Sequence, residues 1–291
     1  MGKIFKSLYL FLNGVIVIAL LCIHFVIKEN SFESSLFYYT FPLPIIILIV
    51  LFLSIFLKRK FRKYNIIIAG LLFILWMGRS YKLHFHETIK ENDLEIVFWN
   101  AGHNRTFTEA FKVNNSIPDV MVLVEGCKNN IETLKKEYPN YHFYLSKEEI
   151  AIFSKTEIKR VEEKKAFFST TVINFTVNNI DFYAVDVAAS MDVPRAWGLD
   201  FVDSHIKNKE GAIVLGDFNV PFESDYLKNI KSDFNNAFNE KGNGFRETWF
   251  WNIPLLSLDH IWVSKDLEIL KTEKIATFKS DHSMIKTFVR K

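Results

Sequence analysis

The stretch Ala212-Ile-Val-Leu-Gly-Asp-Phe-Asn219 is a short apolar run that ends abruptly in polar residues. A continuous apolar run of this length, closed by a glycine, is typical of a strand that is covered on both faces. Asp217 and Asn219 would then stand at the end of that strand. A carboxylate and an amide placed there are available for chemistry, although polar residues after a strand are also common turn residues.

Four other predicted strands carry polar residues near their ends. Asn100 follows the strand at 94–99, Glu125 follows the strand at 120–124, Asp259-His260 lies within 258–263, and Asp281-His282 precedes 284–289. Oxygen ligands without cysteine are the set that a hard cation such as Mg²⁺ or Mn²⁺ prefers. We expect His260 to be structural, because neighbouring residues on a strand face opposite sides of the sheet.

The rest of the chain beyond residue 94 mixes strand and helix patterns. Further strands are predicted at 142–145, 150–153, 167–177 and 180–187, with Asn178-Asn179 as a hairpin turn, and helices at 106–114, 130–137, 195–207 and 223–237. Mixed elements over about 200 residues predict an α/β sandwich of two sheets with helices outside.

Charge divides the chain into two different parts. The whole chain has 291 residues and a net charge of +3, but residues 1–84 hold ten basic and two acidic side chains, a net charge of +8. Residues 85–291 hold the other 26 basic and 31 acidic side chains, a net charge of −5. An acidic domain lacks the overall basic footprint of a tight nucleic-acid binder. The two cysteines exclude a disulfide-rich scaffold, and 15% aromatic residues exclude a disordered chain.

The basic part contains three apolar runs that are predicted to form transmembrane helices, at residues 8–27, 36–57 and 64–81. A bilayer core needs about 20 apolar residues in a helix, so the first two runs are long enough and the third is marginal. A cleaved signal peptide is the alternative for the first run, and a buried core helix is the alternative for the third. We interpret residues 1–84 as a membrane anchor, 85–93 as a linker and 94–291 as a soluble domain.

The densest basic cluster, Lys58-Arg59-Lys60-Phe61-Arg62-Lys63, joins the second and third runs. Because basic loops stay in the cytoplasm, this cluster predicts a cytoplasmic N-terminus and places residues 28–35 outside. Three spans then put the domain from residue 85 onward on the extracytoplasmic side. The sequence thus predicts a multi-pass protein of the lipid bilayer, with no obligate protein partner evident.

Taken in order, the polar strand ends resemble the endonuclease/exonuclease/phosphatase superfamily, which has the DNase-I-like fold. The matching segments are Phe98-Trp-Asn100, Pro118-Asp-Val-Met-Val-Leu-Val-Glu125, Ala151-Ile-Phe-Ser154, Gly216-Asp-Phe-Asn219, Ser257-Leu-Asp-His-Ile261 and Ser280-Asp-His282. The segment Gly244-Phe-Arg-Glu-Thr-Trp249 and the apolar N-terminus resemble the bacterial membrane-anchored branch of the superfamily. The resemblance implies a four-layer α/β sandwich and metal-dependent phosphoester hydrolysis.

The resemblance also implies roles for single residues. The metal-site residues are Asn100, Glu125 and Asp281, the pair that orients water and holds phosphate is Asp217 and Asn219, the catalytic histidine is His282, and the acid that orients this histidine is Asp259. The implied cofactor is Mg²⁺ or Mn²⁺, because a divalent ion neutralises the charge of the phosphoester. A histidine can exchange a proton near neutral pH.

Two positions depart from the superfamily's pattern. Many members have a histidine where this chain has Ala188, and some have an acid where it has Gly102. The candidates that could replace the histidine are Asp186, Ser190, Arg195 and metal-bound water, and the sequence does not choose among them.

Three further residues are candidates for substrate binding. Arg195 begins a predicted helix, Trp249 lies in an aromatic segment with Trp251, and His103 follows the strand that ends at Asn100. A solvated helix start, core packing and a turn are the respective alternatives.

The sequence therefore predicts a membrane-anchored, divalent-metal-dependent phosphoester hydrolase of the phosphodiesterase or nuclease type, acting on the non-cytoplasmic side. DNA, a phospholipid and a small phosphoester are open as substrates, since a fold does not decide a function. A local basic groove near residues 155–165 remains compatible with DNA. A degenerate member that binds metal and phosphate without turnover is the second hypothesis, motivated by Ala188, and a structural or transport protein is the third.

Overall fold

The computed structural model describes residues 2–102, 105–126, 130–189 and 192–291. The chain divides into two compact units, Met1–Tyr81 and Lys82–Lys291, which we call the N-terminal unit and the C-terminal unit.

The N-terminal unit is built from helices. These are α1 at Gly2–Cys22, continued by a π-helical segment at Ile23–Ile27, α2 at Phe32–Thr40, α3 at Leu43–Ser54 and α4 at Arg59–Ser80. Two helical segments, Ile4–Ile27 and Arg59–Ser80, are long and apolar enough to cross a membrane. They correspond to the first and third apolar runs of the sequence.

The second apolar run, at residues 36–57, is broken and does not form the single helix that the sequence predicts. Helices α2 and α3 are bent against each other by 68°, and they add a third span only if the pair is counted as one. The break falls at Phe41 and Pro42. Proline has no N–H to donate and disfavours the helical conformation of the residue before it, so α2 ends ahead of Pro42.

Side chains join the helices of the N-terminal unit to one another. The Tyr9 hydroxyl donates to the carbonyl of Leu53 at 2.6 Å, and the Asn65 amide donates to the carbonyl of Val50 at 3.3 Å. Arg62 donates to main-chain carbonyls at 54, 55 and 57. These carbonyls belong to the end of α3 and the loop after it, so one cation of the basic cluster caps a neighbouring helix.

The strands of the chain lie from residue 81 onward. They are β1 Tyr81–Lys82, β2 Leu94–Asn100, β3 Val120–Val124, β4 His142–Leu145, β5 Ala151–Ser154, β6 Lys159–Lys165, β7 Thr171–Val177, β8 Ile180–Asp186, β9 Ala212–Asp217, β10 Phe234–Asn236, β11 Gly244–Phe245, β12 Asp259–Ser264, β13 Glu268–Ile275 and β14 Met284–Arg290. The helices are α5 Phe107–Asn114, α6 Ile131–Glu137, α7 Arg195–His205, α8 Lys228–Asp233 and α9 Ala237–Lys241, with a 3₁₀ turn at Asp225–Leu227.

Twelve of these strands form two six-stranded mixed sheets. The order is β10-β12-β9-β8-β7-β6 in the first sheet and β13-β14-β2-β3-β5-β4 in the second. The pairs β8–β9 and β2–β3 are parallel, and the other neighbours are antiparallel. The carboxyl ends of β2 and β3 therefore meet in one sheet, and those of β8 and β9 meet in the other.

The two sheets pack face to face, with helices outside. Phe98 of β2 and Phe182 of β8 belong to the same buried cluster between the sheets. The alternate residues Val97 and Trp99 pack in a second cluster with Phe107 of α5. Each central strand is thus buried on both faces, which explains its continuous apolar sequence and gives the sandwich that the sequence predicts.

Two predicted elements are wrong in their bounds. The helix expected at 223–237 is interrupted, because Phe234–Asn236 leaves the helix and pairs with the edge of β12. The strand expected at 167–177 begins only at Thr171, because the main-chain N–H of Ala166 donates to Thr170 and closes a turn there. Five strands were not predicted: the short β1, β10 and β11, and the longer β6 and β13, which both carry several charged residues.

Candidate active site

Three aspartates lie in one row across neighbouring strands of the first sheet. Asp186 of β8 is paired in register with Asp217 of β9, which is paired in register with Asp259 of β12. Side chains of directly paired residues project from the same face of a sheet, about 5 Å apart. Asp217 and Asp259 are 1% and 2% exposed. The fold therefore concentrates negative charge, largely away from water, at one end of this sheet.

Asp217 is fixed through both of its carboxylate oxygens. Its Oδ2 accepts from the Asn100 side chain at 2.9 Å, and its Oδ1 accepts from the main-chain N–H of Asn219 at 2.8 Å. Asn100 ends β2, so the first contact joins the two sheets at their polar end. Asn219 adopts a left-handed backbone (φ 51°) and donates its amide to the carbonyl of Val187 at 2.7 Å. Asp217 is thus preorganised by the turn after β9 and by the opposite sheet.

His282 and Asp259 form a buried pair. The distance from His282 Nδ1 to Asp259 Oδ2 is 2.8 Å, and Thr248 Oγ1 accepts from the main-chain N–H of Asp259 at 3.2 Å. Burial lowers the pKa of His282, but the charge and hydrogen bond of Asp259 and the charge of Asp217 outweigh it and raise this pKa to about 10. In the metal-free protein, Asp259 and Asp217 therefore favour the protonated form of the His282 ring beside the aspartate row.

Burial and mutual repulsion also act on the carboxylates. Burial, followed by the charge of Asp259, raises the pKa of Asp217. Burial, followed by the charges of Asp217 and Glu125, raises the pKa of Asp186 well above its usual range. Glu125 follows β3 with a left-handed backbone (φ 54°) and is half-buried. Four carboxylates therefore act on one another across the polar ends of the two sheets.

A divalent cation fits this group of residues. One ligand atom each from Asp217, Asp259 and His282 lies within 4.8 Å of the others, and this is the group of metal-binding side chains found among the described residues. Asp259 Oδ1 is buried and accepts no hydrogen bond from those residues. A cation held by Asp217 and Asp259 would satisfy that oxygen and relieve the repulsion between the carboxylates, whereas His282 in its protonated form cannot be one of its ligands.

The metal ligands expected from the sequence surround this group without coinciding with it. Asn100 already uses both ends of its amide, since its Oδ1 accepts from the N–H of Gly102 at 3.1 Å. Asp281 accepts from Trp249 Nε1 at 3.0 Å. Glu125 contributes charge at the same place. The assignment of Asn100, Glu125 and Asp281 as metal ligands stays a prediction.

The predicted substrate-binding residues have different surroundings. Arg195 donates to the main-chain carbonyls of Ala188 at 2.9 Å and Asn219 at 3.2 Å, so it braces the two turns beside the aspartate row. Trp249 is tied by its indole N–H to Asp281. His103 lies outside the described residues.

His260 points away from the aspartate row, as its place on the strand predicts. Its Nε2 lies 3.1 Å from the carbonyl of Val220, and burial lowers its pKa to about 3. The residue that sequence reasoning undervalued is Asp186, which was one of several replacements considered for the histidine missing at Ala188. Its position in the sequence was the available signal. Asp186 lies two residues before Ala188, and residues two apart on a strand project from the same face of the sheet.

Comparisons with known proteins agree with this fold. A sequence model of the Endonuclease/Exonuclease/phosphatase family matches residues 76–282. Similar solved structures include an AP endonuclease from Archaeoglobus fulgidus (16% identity, TM-score 0.55, 67% of this chain and 98% of that chain). A mannosyl-6-phosphatase from Bacteroides thetaiotaomicron is also similar (14% identity, TM-score 0.52, 68% of this chain and 100% of that chain).

An endonuclease/exonuclease/phosphatase family protein from Bacteroides thetaiotaomicron has the same fold (15% identity, TM-score 0.53, 69% of this chain and 98% of that chain). No curated protein sequence matches the chain. The structural likenesses are at low identity and concern the fold, whereas the family match extends over most of the chain. The chain therefore belongs to the endonuclease/exonuclease/phosphatase family, whose members are hydrolases of phosphoesters.

Proposed function

We propose that this protein is a membrane-anchored, divalent-metal-dependent phosphoester hydrolase whose active site is the row of Asp186, Asp217 and Asp259 with His282. The observation that carries the proposal is the buried 2.8 Å contact between His282 and Asp259 beside Asp217. Attack of water on a phosphoester is assisted by a histidine that can donate a proton, by a carboxylate that orients the water and by a bound cation. This site offers residues for all three.

The side chains of this site have distinct tasks in the proposed reaction. Because Asp259 occupies Nδ1 of His282, the proton that the ring can direct at a phosphoryl oxygen is the one on Nε2. Asp217 is held at both oxygens, so it can orient an attacking water without reorganising. Asn219 holds the turn that carries this carboxylate. Asp217 and Asp259 would hold a divalent ion, which would supply positive charge to the phosphoester and its leaving oxygen.

The candidate spans support an anchoring role for the N-terminal unit. Ile4–Ile27 and Arg59–Ser80 match the length of a bilayer core, and α2 with α3 supplies a third crossing if the bent pair spans. The basic cluster at residues 58–63 favours a cytoplasmic position for that loop and, with three spans, an extracytoplasmic C-terminal unit. Residues 85–93 act as the linker and residues 94–291 as the hydrolase domain in this proposal.

The activity is tested with the full chain purified in detergent. Plasmid DNA, phospholipid vesicles, bis-nitrophenyl phosphate and nitrophenyl phosphate are each incubated with Mg²⁺, Mn²⁺ or EDTA. We expect metal-dependent product from at least one of them, and a loss of about 10²–10⁴-fold in His282→Ala. His142→Ala is the matched control, because His142 is exposed on β4. Absence of product from all four substrates, or equal loss in both variants, would contradict the proposal.

The side of the membrane is tested separately. Protease added to intact cells should digest the C-terminal unit and leave a protected N-terminal fragment. A C-terminal unit that resists protease until the cells are lysed would place it in the cytoplasm and reject the proposed orientation.

A further inference from the structure

Five large hydrophobic side chains that are exposed to solvent lie near the polar strand ends of the C-terminal unit. The exposed large hydrophobic residues described in this unit are Leu83, Phe85, Ile89, Val161, Phe167, Trp197, Trp251, Ile253 and Phe278, and the five are the last five of these. Phe167 is 90% exposed and Phe278 is 80% exposed. Apolar groups exposed together, unlike scattered single ones, mark surfaces that meet another molecule.

Phe167 and Trp197 lie on one side of the aspartate row. Phe167 is in the turn that directly precedes Thr171, and Thr171 is paired in register with Asp186. Trp197 is in the first turn of α7, and its ring centre lies 6.5 Å from that of Phe167. The two rings therefore stand at the β7–β8 side of the candidate site.

Trp251, Ile253 and Phe278 lie on the other side of the row. The main-chain N–H of Trp251 donates to the carbonyl of Asp281 at 2.8 Å. The neighbouring Asn252 side chain donates to the carbonyl of Thr277 at 3.2 Å and accepts from the main-chain N–H of Thr277 at 3.1 Å. These contacts hold the two exposed loops together next to Asp281 and His282.

We call these five side chains (Phe167, Trp197, Trp251, Ile253 and Phe278) the apolar rim. Val161 lies on the edge strand β6, away from the polar strand ends, and Leu83, Phe85 and Ile89 lie in the segment between β1 and β2. The apolar rim is the part of the exposed apolar surface that flanks the candidate active site.

The chain connectivity and the charge of the C-terminal unit indicate which kind of surface the apolar rim contacts. Helix α4 ends at Ser80, and His84 already donates to Asn243 at 2.6 Å within the C-terminal unit. The intervening residues span at most about 14 Å. If α4 crosses a bilayer, the C-terminal unit cannot move far from its surface. The net charge of −5 on residues 85–291 disfavours a polyanion such as DNA, whereas Trp and Phe are suited to a membrane interface.

We propose that the apolar rim docks into the surface of a lipid bilayer and that the substrate is a phosphoester of a membrane lipid headgroup. Insertion of the rim would bring the headgroup region to the aspartate row, since rim residues flank the row on two sides. The choice of substrate rests on the proposed hydrolase function, but docking of the rim does not.

Docking is tested on the full chain in phosphatidylcholine vesicles, with Cys22 and Cys127 replaced by alanine. An environment-sensitive fluorophore is attached in Phe167→Cys, in Phe278→Cys and, as the matched control, in Val161→Cys. Doxyl-labelled phosphatidylcholine should quench the first two fluorophores at least about twofold more than the third. The quenching should persist in 1 M NaCl, because screening removes charge attraction but not apolar burial.

Equal quenching at the three positions would overturn docking. So would a response of the rim fluorophores to single-stranded DNA but not to lipid, which would indicate a nucleic-acid surface.

The substrate is tested by comparing turnover of vesicle phospholipid with turnover of soluble bis-nitrophenyl phosphate. In the double variant Phe167→Ser/Phe278→Ser, the ratio of the two rates should fall at least about tenfold, since each ring loses its burial in lipid. Val161→Ser should keep the wild-type ratio. Turnover of the soluble diester without any phospholipid cleavage would reject the lipid substrate. If the wild type cleaves neither of these two compounds, nor plasmid DNA or nitrophenyl phosphate, the hydrolase proposal fails, and the quenching result alone decides docking.

Discussion

The pairing of Asp259 with His282 makes the protonation of the histidine depend on a single carboxylate. Asp259→Asn removes the charge and keeps the size of the side chain. In the structure the carboxylate is 2% exposed and touches Nδ1 at 2.8 Å. Because solvent screening at this position is weak, loss of the Asp259 charge should have a large effect on the pKa of the His282 ring.

The size of the effect follows from the pKa of His282. A value of about 10, compared with an ordinary value of about 6.5, corresponds to roughly 5 kcal/mol in favour of the imidazolium. Asp217 and Asp281 still favour the charged ring in the variant, while burial opposes it. We expect the pKa of His282 to fall by at least about two pH units in Asp259→Asn, or roughly 3 kcal/mol.

The measurement is a histidine-ring NMR titration of the metal-free protein in EDTA. The chain has eight histidines, and His282→Gln identifies the signal. Asp233→Asn is the matched control, because Asp233 pairs with Lys209 on the surface. A wild-type pKa near 6.5, or no change in Asp259→Asn, would refute the argument. With metal present, hydrolysis at pH 7 should fall by about 10²–10⁴-fold in the variant.

Three further results are expected. The raised pKa of Asp217 destabilises the metal-free fold above about pH 4. The raised pKa of His282 contributes stability that is complete below about pH 6.5 and is lost towards pH 10. Because both effects leave the metal-free fold less stable at pH 8 than at pH 5, Mn²⁺ should raise the Tm more at pH 8. In Gly216→Ala the new Cβ would lie 2.0 Å from the carbonyl oxygen of Val185, so urea unfolding should show a loss of about 3 kcal/mol, and an unchanged midpoint would contradict this close approach. Asn100→Ala leaves Asp217 Oδ2 without its partner and should cost about 2 kcal/mol in the same assay, whereas wild-type stability would mean that this contact does not join the sheets.

Strands buried on both faces were the predictable part of the fold. Val120–Val124 and the run at 212–215 are apolar at every position because one face packs against the other sheet and the opposite face is covered as well. Strand β6 was missed because it is an edge strand with Val161 as its apolar residue, and charged side chains do not identify a strand. The prediction of one helix at 223–237 was wrong because Phe234–Asn236 pairs with β12. Local helix and strand propensities carry no information about such a distant partner.

The sequence alone determined the residue types, the two-part charge distribution and the family resemblance, because composition, hydrophobic period and motif spacing are local properties of the chain. It named Asp217, Asp259 and His282 as members of one site. Only the tertiary structure decided that Asp186 joins them and that the apolar rim flanks them on two sides. Strand register across β8, β9 and β12 sets these neighbours, and register depends on packing between segments far apart in the chain.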